Sequence, residues 1–382
     1  MNSIDLTVAI APMVTSIKQD MQYIKSALLY ADTITLISPI ASTYFDLTNE
    51  ADRENEKTII SLMDKVLPLC GAANPSYCQE IEPTLVQLKN LVFSKKYKAA
   101  PMKMKLSIIS ALKTFGNDIE DAITEMLGSD DCAELVSLVK SEKVKLHSFQ
   151  SEFTDDSFIR EFYLSLKQAL NNSNTFPLFD DQSNALIKAA INDNLIELNE
   201  VNTFNAIHAG MTNNLLVSLP SFEYATVDEI LDIRKELNNS LVRFRSKTLS
   251  YSDSIQSMPW DESFQHECVR LYHKEVAPAI LEIQELTNES GFLKNLGYNI
   301  VSDNSIIKTV GVICISIAAT DAISAFSDVV SSDTAILVTG GAYATSKIAT
   351  AYKDYKTKQN DIMKKDLYFY YKAGNMLKKK LH

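Results

Sequence analysis

IDLTVAIAPMVTSIKQDMQYIKSALLYADTITLISP, residues 4–39, is the stretch whose reading decides the fold. Ile4, Leu6, Val8 and Ile10 alternate with Asp5, Thr7 and Ala9, the period-two pattern of a strand, and Pro12 closes the run. Ile17, Met21, Ile24 and Leu28 then recur at helical spacing. Thr33-Ile34-Thr35-Leu36-Ile37 is rich in β-branched residues and is stopped by Pro39. Strand, helix and strand in this order make a β-α-β unit, with parallel strands and a right-handed crossover. An apolar run from Leu215 to Leu219, before Pro220, is expected to extend the same sheet.

Beyond this unit the chain reads as helix after helix. From Ala41 to about Met211 the breaks fall at Gly71–Pro75, Lys98–Pro101, Gly128–Asp131, Phe153–Asp156 and Asn171–Pro177. Thr226 with Glu229 three residues on is a capping box. It opens a stripe of Ile230, Ile233, Leu237, Leu241, Phe244, Thr248, Tyr251 and Ile255, all at spacings of three and four. A second long helix is expected from Glu262 to Asn288, after Pro259, giving an antiparallel pair. Two apolar, small-residue-rich runs follow, 306–319 and 335–351. The first contains Lys308, and the second is interrupted by Thr339, Thr345, Ser346 and Lys347. A spanning helix needs about 20 apolar residues, so both runs are read as a buried hairpin rather than a membrane span. The expected fold is therefore mainly α, a multi-helix bundle with a small N-terminal β-α-β element in a minor mixed sheet. The boundaries are 1–40 for that element, 41–225 for a helical domain, 226–300 for the long antiparallel helix pair, and 301–382 for the apolar helical hairpin with a basic tail.

Composition fits a folded body. The 382 residues are 46% hydrophobic and 22% charged, and with only 10 Gly and 10 Pro the breakers are sparse. The net charge of −11 argues against nucleic acid as the main partner. From Lys353 to His382, however, nine lysines face three aspartates, a local +6 that leaves −17 on the rest. Such a tail suits docking on its own acidic body, with an acidic partner or an anionic membrane as the alternatives. Five cysteines (Cys70, Cys78, Cys132, Cys268, Cys314) show no disulfide framework, and the N-terminus carries no leader pattern, so a cytoplasmic protein with free thiols is expected.

Chemistry-bearing motifs are sparse. The sequence holds no HExxH, paired CxxC, GxSxG, GxGxxG after the first strand, or GxxxxGK[ST], so no cofactor and no metal are expected and no enzymatic activity is read from it. His266, Cys268 and His273 look like ligands, but helical geometry puts Cys268 about 200° away from His266. Arg234, Arg243 and Arg245 lie along the margin of the long stripe. They are candidate anion or partner contacts, since a guanidinium fork binds carboxylate or phosphate in bidentate fashion, and pairing with neighbouring acids is the plainer alternative. Asp5 and Asp32 are the candidate acids near the sheet, with Asp180 and Asp181 noted beside them.

One resemblance adds to this. The stretches ALLYADTITLISP (27–39), TVDEILDIRKEL (226–237) with Pro220 ahead of it, LVRFRSKTL (241–249) and DLYFYY (366–371) resemble uncharacterised bacterial proteins found in anti-phage defence settings. The likeness leaves residues 45–200 uncovered and shares the positions Arg234, Phe244 and Arg245. It implies a place in a bacterial defence system. The leading expectation is a non-enzymatic helical sensor or scaffold that works through protein partners, with a homo-oligomer as one form. The alternatives are a conditional membrane-inserting effector using 306–351 and an enzyme acting on nucleotides or nucleic acid.

Overall fold

A computed structural model describes residues 3–12, 17–48, 56–57, 59–61, 63, 75–150, 156–287 and 361–379. The apolar runs 306–319 and 335–351, and with them Cys314 and Cys70, lie outside the described residues. The chain is mainly helical and divides into two compact units. Unit 1 holds Met1–Asn213 with Met258–Asp261, and unit 2 holds Asn214–Ser257 with Glu262–His382.

Unit 1 is organised by the expected β-α-β unit. Strand β1 (Asp5–Ala9) leads through helix α1 (Ile17–Tyr30) to β2 (Thr33–Ile37), which pairs with β1 in parallel, Leu6 opposite Ile34 and Val8 opposite Leu36. Before the next strand the described residues hold the helices α2 (Pro39–Thr48), α3 (Pro75–Val92), α4 (Lys95–Lys98), α5 (Met102–Leu127) and α6 (Ser129–Lys140), with further helical residues between 56 and 63. Gly128 separates the last two at φ +104°, a left-handed backbone open to glycine.

Two strands then appear in sequence read as helical. Strand β3 (Val144–Leu146) pairs with β2, and after α7 (Asp156–Asn171) strand β4 (Phe176–Phe179) returns to pair with β1. The sheet is thus four-stranded and entirely parallel, in the order β3-β2-β1-β4, where a minor mixed sheet was expected. The run Leu215–Leu219 does not join it. Residues up to Val217 end helix α9 (Glu200–Val217), which comes after α8 (Asp181–Asn192). An apolar run of that length is ambiguous between strand and helix, and here the helix already running from Glu200 continues through it.

Parallel strands are buried on both faces because their crossovers lay helices there. On one face Ala9, Ile37 and Phe179 pack with Phe162, Leu166, Ala169 and Leu170 of α7, a stripe at helical spacing, and with Ile187 and Ala190 of α8. On the other face stand Leu6, Val8, Ile34 and Leu36, all buried, and α1 packs against β1 and β2.

Unit 2 is helical. The capping box is present: Thr226 Oγ1 accepts from the Glu229 N–H, and Glu229 Oε2 accepts from the Thr226 N–H. The long helix it starts is two helices, α10 (Val227–Glu236) and α11 (Asn238–Ser252), divided at Leu237 (φ −99°, ψ +15°). Asn238, Asn239 and Ser240 compete for backbone hydrogen bonds, which accounts for the break. The predicted stripe from Ile230 to Ile255 is buried throughout. Helix α12 (Glu262–Leu271) passes through a π-turn at Tyr272–Val276 into α13 (Ala277–Thr287). Pro278 lacks the N–H that would reach Lys274 and crowds its carbonyl, which favours the wider turn there.

The basic tail forms helix α14 (Tyr368–Lys379), which packs against α10, α11 and α13. Its Phe369, Tyr370 and Tyr371 are fully buried. Phe244 stacks on Phe369 and Tyr370 at ring-centroid distances of 5.2 and 6.0 Å, and the Tyr370 hydroxyl meets Ser218 Oγ at 2.9 Å. Lys365 pairs with Glu282. Tyr370 and Phe244 are therefore centre pieces of unit 2. Truncating Phe244 to Ala is expected to cost about 3–5 kcal/mol, read from the urea midpoint of the full chain; a loss below about 1 kcal/mol would show that α14 does not pack there in solution.

Candidate functional site

The strand order reverses beside β1. Chain progression runs β1 to β2 to β3 in one direction, and α7 then carries it back to β4 on the far side of β1. In open parallel sheets this reversal leaves a crevice outside the carboxyl ends of the two strands, where ligands bind. The residues at that edge are Ile10 and Ala11 after β1, Ser38 after β2, His147 after β3 and Asp180 after β4. The ladder continues into them, with Ile10 N–H to Ile37 O at 2.9 Å and Asp180 N–H to Ala9 O at 3.0 Å.

Asp180 is the N-cap of α8 and is fully buried. Its Oδ1 accepts from the Ser183 N–H at 2.9 Å and its Oδ2 from the Ala11 N–H at 3.2 Å, so one carboxylate bolts β1 to β4 across the reversal point. Facing it from α1 is Asp20, also fully buried, with neither carboxylate oxygen hydrogen-bonded. Ser38 lies near enough to favour its charge, but its hydroxyl accepts from the Ala41 N–H and makes no bond of ordinary geometry to Asp20. Burial, with Asp180 adding repulsion, pushes the Asp20 carboxyl from its ordinary 3.8 up to about 7. Two further polar atoms in the first turn of α8, Ser183 Oγ and Asn184 Oδ1, are buried without a partner. The Tyr23 hydroxyl is raised by burial and then by the charges of Asp181 and Asp180.

Of the acids noted from the sequence, Asp180 stands at this edge, and Asp5 and Asp32 do not. Asp5 and Asp32 sit at the opposite, amino edge of the sheet. Asp32 Oδ2 accepts from the Ile4 N–H, and Asp5 Oδ1 accepts from the Ser3 and Thr33 hydroxyls, so both fix the entry of β1 and β2. A five-residue strand separates them from Asp180 by about 15 Å, and the structure does not bring the two pairs together. In unit 2 the Leu237 break puts Arg234 on α10 and Arg243 and Arg245 on α11, rather than on one helix face. Arg243 Nη1 donates to the Lys364 carbonyl at 2.9 Å, Arg245 is buried, and Arg234 is half-buried. His266 and His273 are exposed, whereas Cys268 is buried against Asn214 and burial holds its thiol up at about 12.

Two histidines invite a catalytic reading. Ser165 Oγ lies 2.9 Å from His147 Nε2, and burial holds His147 below its ordinary range. The same hydroxyl donates to Glu161 O at 2.9 Å, and Ser165 is buried in mid-helix, so the pair fastens the end of β3 to α7. His208 is bonded to Tyr30 Oη at 2.8 Å among Phe176 and Phe204, a satisfied core histidine.

Asp20 was not singled out from the sequence, although its signal is there: it stands three residues after Ile17 and four before Ile24, on the apolar stripe of α1, where side chains turn inward. Between about pH 4 and pH 7 the folded chain holds a proton on Asp20 that the unfolded chain releases, so this contribution to stability falls as pH rises. Asp20→Asn is accordingly expected to be more stable than the parent, by a margin that widens from pH 5 to pH 8 in denaturant midpoints. A margin independent of pH would mean that Asp20 is charged and paired.

No protein-family model, curated protein or solved structure matches the chain.

Proposed function

We propose that the chain is a ligand-responsive, non-enzymatic sensor or scaffold subunit, with unit 1 taking a small polar ligand at the β1/β4 crevice and unit 2 offering contacts to a protein partner. The observation that carries this reading is Asp20, a buried carboxyl with no hydrogen-bond partner at the reversal point of a parallel sheet. An unpaired buried acid costs stability, and perturbed acids of this kind cluster at functional sites. Of the arginines in the paired-helix region 226–287, Arg234 and Arg243 reach the surface and are the candidate partner contacts, while the buried Arg245 is not. The bacterial anti-phage setting rests on the sequence stretches quoted above, and a cytoplasmic location on the cysteine pattern and the N-terminal sequence.

The membrane-effector reading has less support. Among the described residues no helix is long and apolar enough to cross a membrane. The aromatic residues of α14 that would suit an interface are buried among α10, α11 and α13. The same crevice favours a second reading, an enzyme acting on a nucleotide, since reversal points of this sheet order accept nucleotides.

Asp20→Asn keeps the shape of the side chain and removes its charge. In a bacterial host carrying the chain with its native neighbours, the variant should keep or raise its melting temperature and lose phage protection. Full protection by a stable variant would contradict the crevice as the working site. Consumption of a nucleotide by the parent chain, followed by chromatography, would favour the enzyme over the sensor.

A further inference from the structure

We propose that the crevice between the carboxyl ends of β1 and β4 holds a hard divalent cation of the Mg2+ class, with Asp20 and Asp180 as its charged ligands and the first turn of α8 supplying neutral oxygens. This rests on the reading of the crevice as a ligand site and specifies what the site takes.

Asp20 is 0% exposed, neither of its oxygens has a hydrogen-bond partner of ordinary geometry among the described residues, and the charge that acts on it is that of a second carboxylate. Two buried acids facing each other repel, and a divalent ion between them turns that repulsion into attraction for both at once. A single ammonium or guanidinium would do the same by half, and none is hydrogen-bonded to either acid.

Asp180 is prepared as a ligand. Its bonds from the Ala11 and Ser183 N–H groups fix its orientation, and each oxygen keeps a free lone pair. Ligating carboxylates are held in this way by outer-shell donors. Ser183 is 0% exposed, and its Oγ, like Asn184 Oδ1, is buried and uncommitted.

The donor chemistry selects the ion. Among the described residues no three His, Cys, Asp or Glu side chains converge as a metal set. Among the described residues the one histidine at this edge of the sheet, His147, follows β3 and is tied to Ser165. It stands three strand spacings from β4, about 14 Å. What remains is two carboxylates and neutral oxygens, an all-oxygen set with few protein ligands. That suits Mg2+ or Mn2+, which keep several of their waters, better than zinc or copper.

The test uses the full chain, stripped with EDTA and titrated with Mn2+ while free Mn2+ is read by electron paramagnetic resonance. One saturable site, displaced by Mg2+, is expected. Asp20→Asn should remove it, and Ser183→Ala should weaken it about tenfold, the scale of losing one supporting oxygen. Absence of saturable Mn2+ binding in the parent, or binding unchanged in folded Asp20→Asn, overturns the proposal. If Mn2+ fails to bind while Asp20→Asn still abolishes protection, the cation falls and the crevice reading stands. If Mn2+ binds as expected and Asp20→Asn protects fully, the cation site stands and the crevice reading falls.

Discussion

Strand β1 is hydrogen-bonded along both edges and covered on both faces, and unit 1 depends on that placement. Its register with β2 and with β4 is set residue by residue, from Leu6 opposite Ile34 and Phe176 to Ala9 opposite Ile37 and Phe179. A slip of one residue would turn Leu6 and Val8 to the face where Ala9 packs against α7, so the alternation permits one register. Because β4 returns to the side of β1 away from β2, the carboxyl end of β1 lies between two diverging connections. Asp180 closes part of that gap with bonds to Ala11 and Ser183.

Asp20 runs against this economy. An apolar residue on the stripe of α1 between Ile17 and Ile24 would pack without the desolvation cost of a carboxyl, so local stability does not explain the acid. Positions where a stable fold breaks its own rule, with no compensating bond, are where function is expected. The neighbouring Asp180, Ser183 and Asn184 make the same point from the other wall, where uncommitted oxygens cluster instead of being paired. The Ser165–His147 and Tyr30–His208 pairs do the opposite. Each is hydrogen-bonded, and each ties an element in place.

Much of the architecture was legible, and the misses have physical causes. The alternation of 4–10 and the β-branched run 33–37 have enough length to declare strands, and the capping box at Thr226 declares a helix start. Strand β3 has three residues, too few for any period to show. Strand β4 contains Pro177, which reads as a breaker; it is tolerated because β4 pairs only with β1, and an edge strand can turn a missing N–H outward. Missing those two strands hid the reversal point, and with it the role of Asp180. Of the acids noted near the sheet, Asp5 and Asp32 stand at its amino edge and Asp180 at the ligand edge, and no reading of β1 and β2 alone distinguishes the two edges. In unit 2 the apolar stripe survived the break at Leu237, because a bend at an apolar position leaves the buried side chains on the inside.

The claim on which the rest turns is that Asp20 is enclosed beside Asp180 without a protein partner. Carbon-13 NMR of aspartate carboxyls in the metal-free chain, with the Asp20 resonance identified by its loss in Asp20→Asn, measures this directly. A midpoint near 7 is the predicted result. A midpoint at the ordinary 3.8 or below would mean that Asp20 is solvated or held by a donor, and would contradict the account.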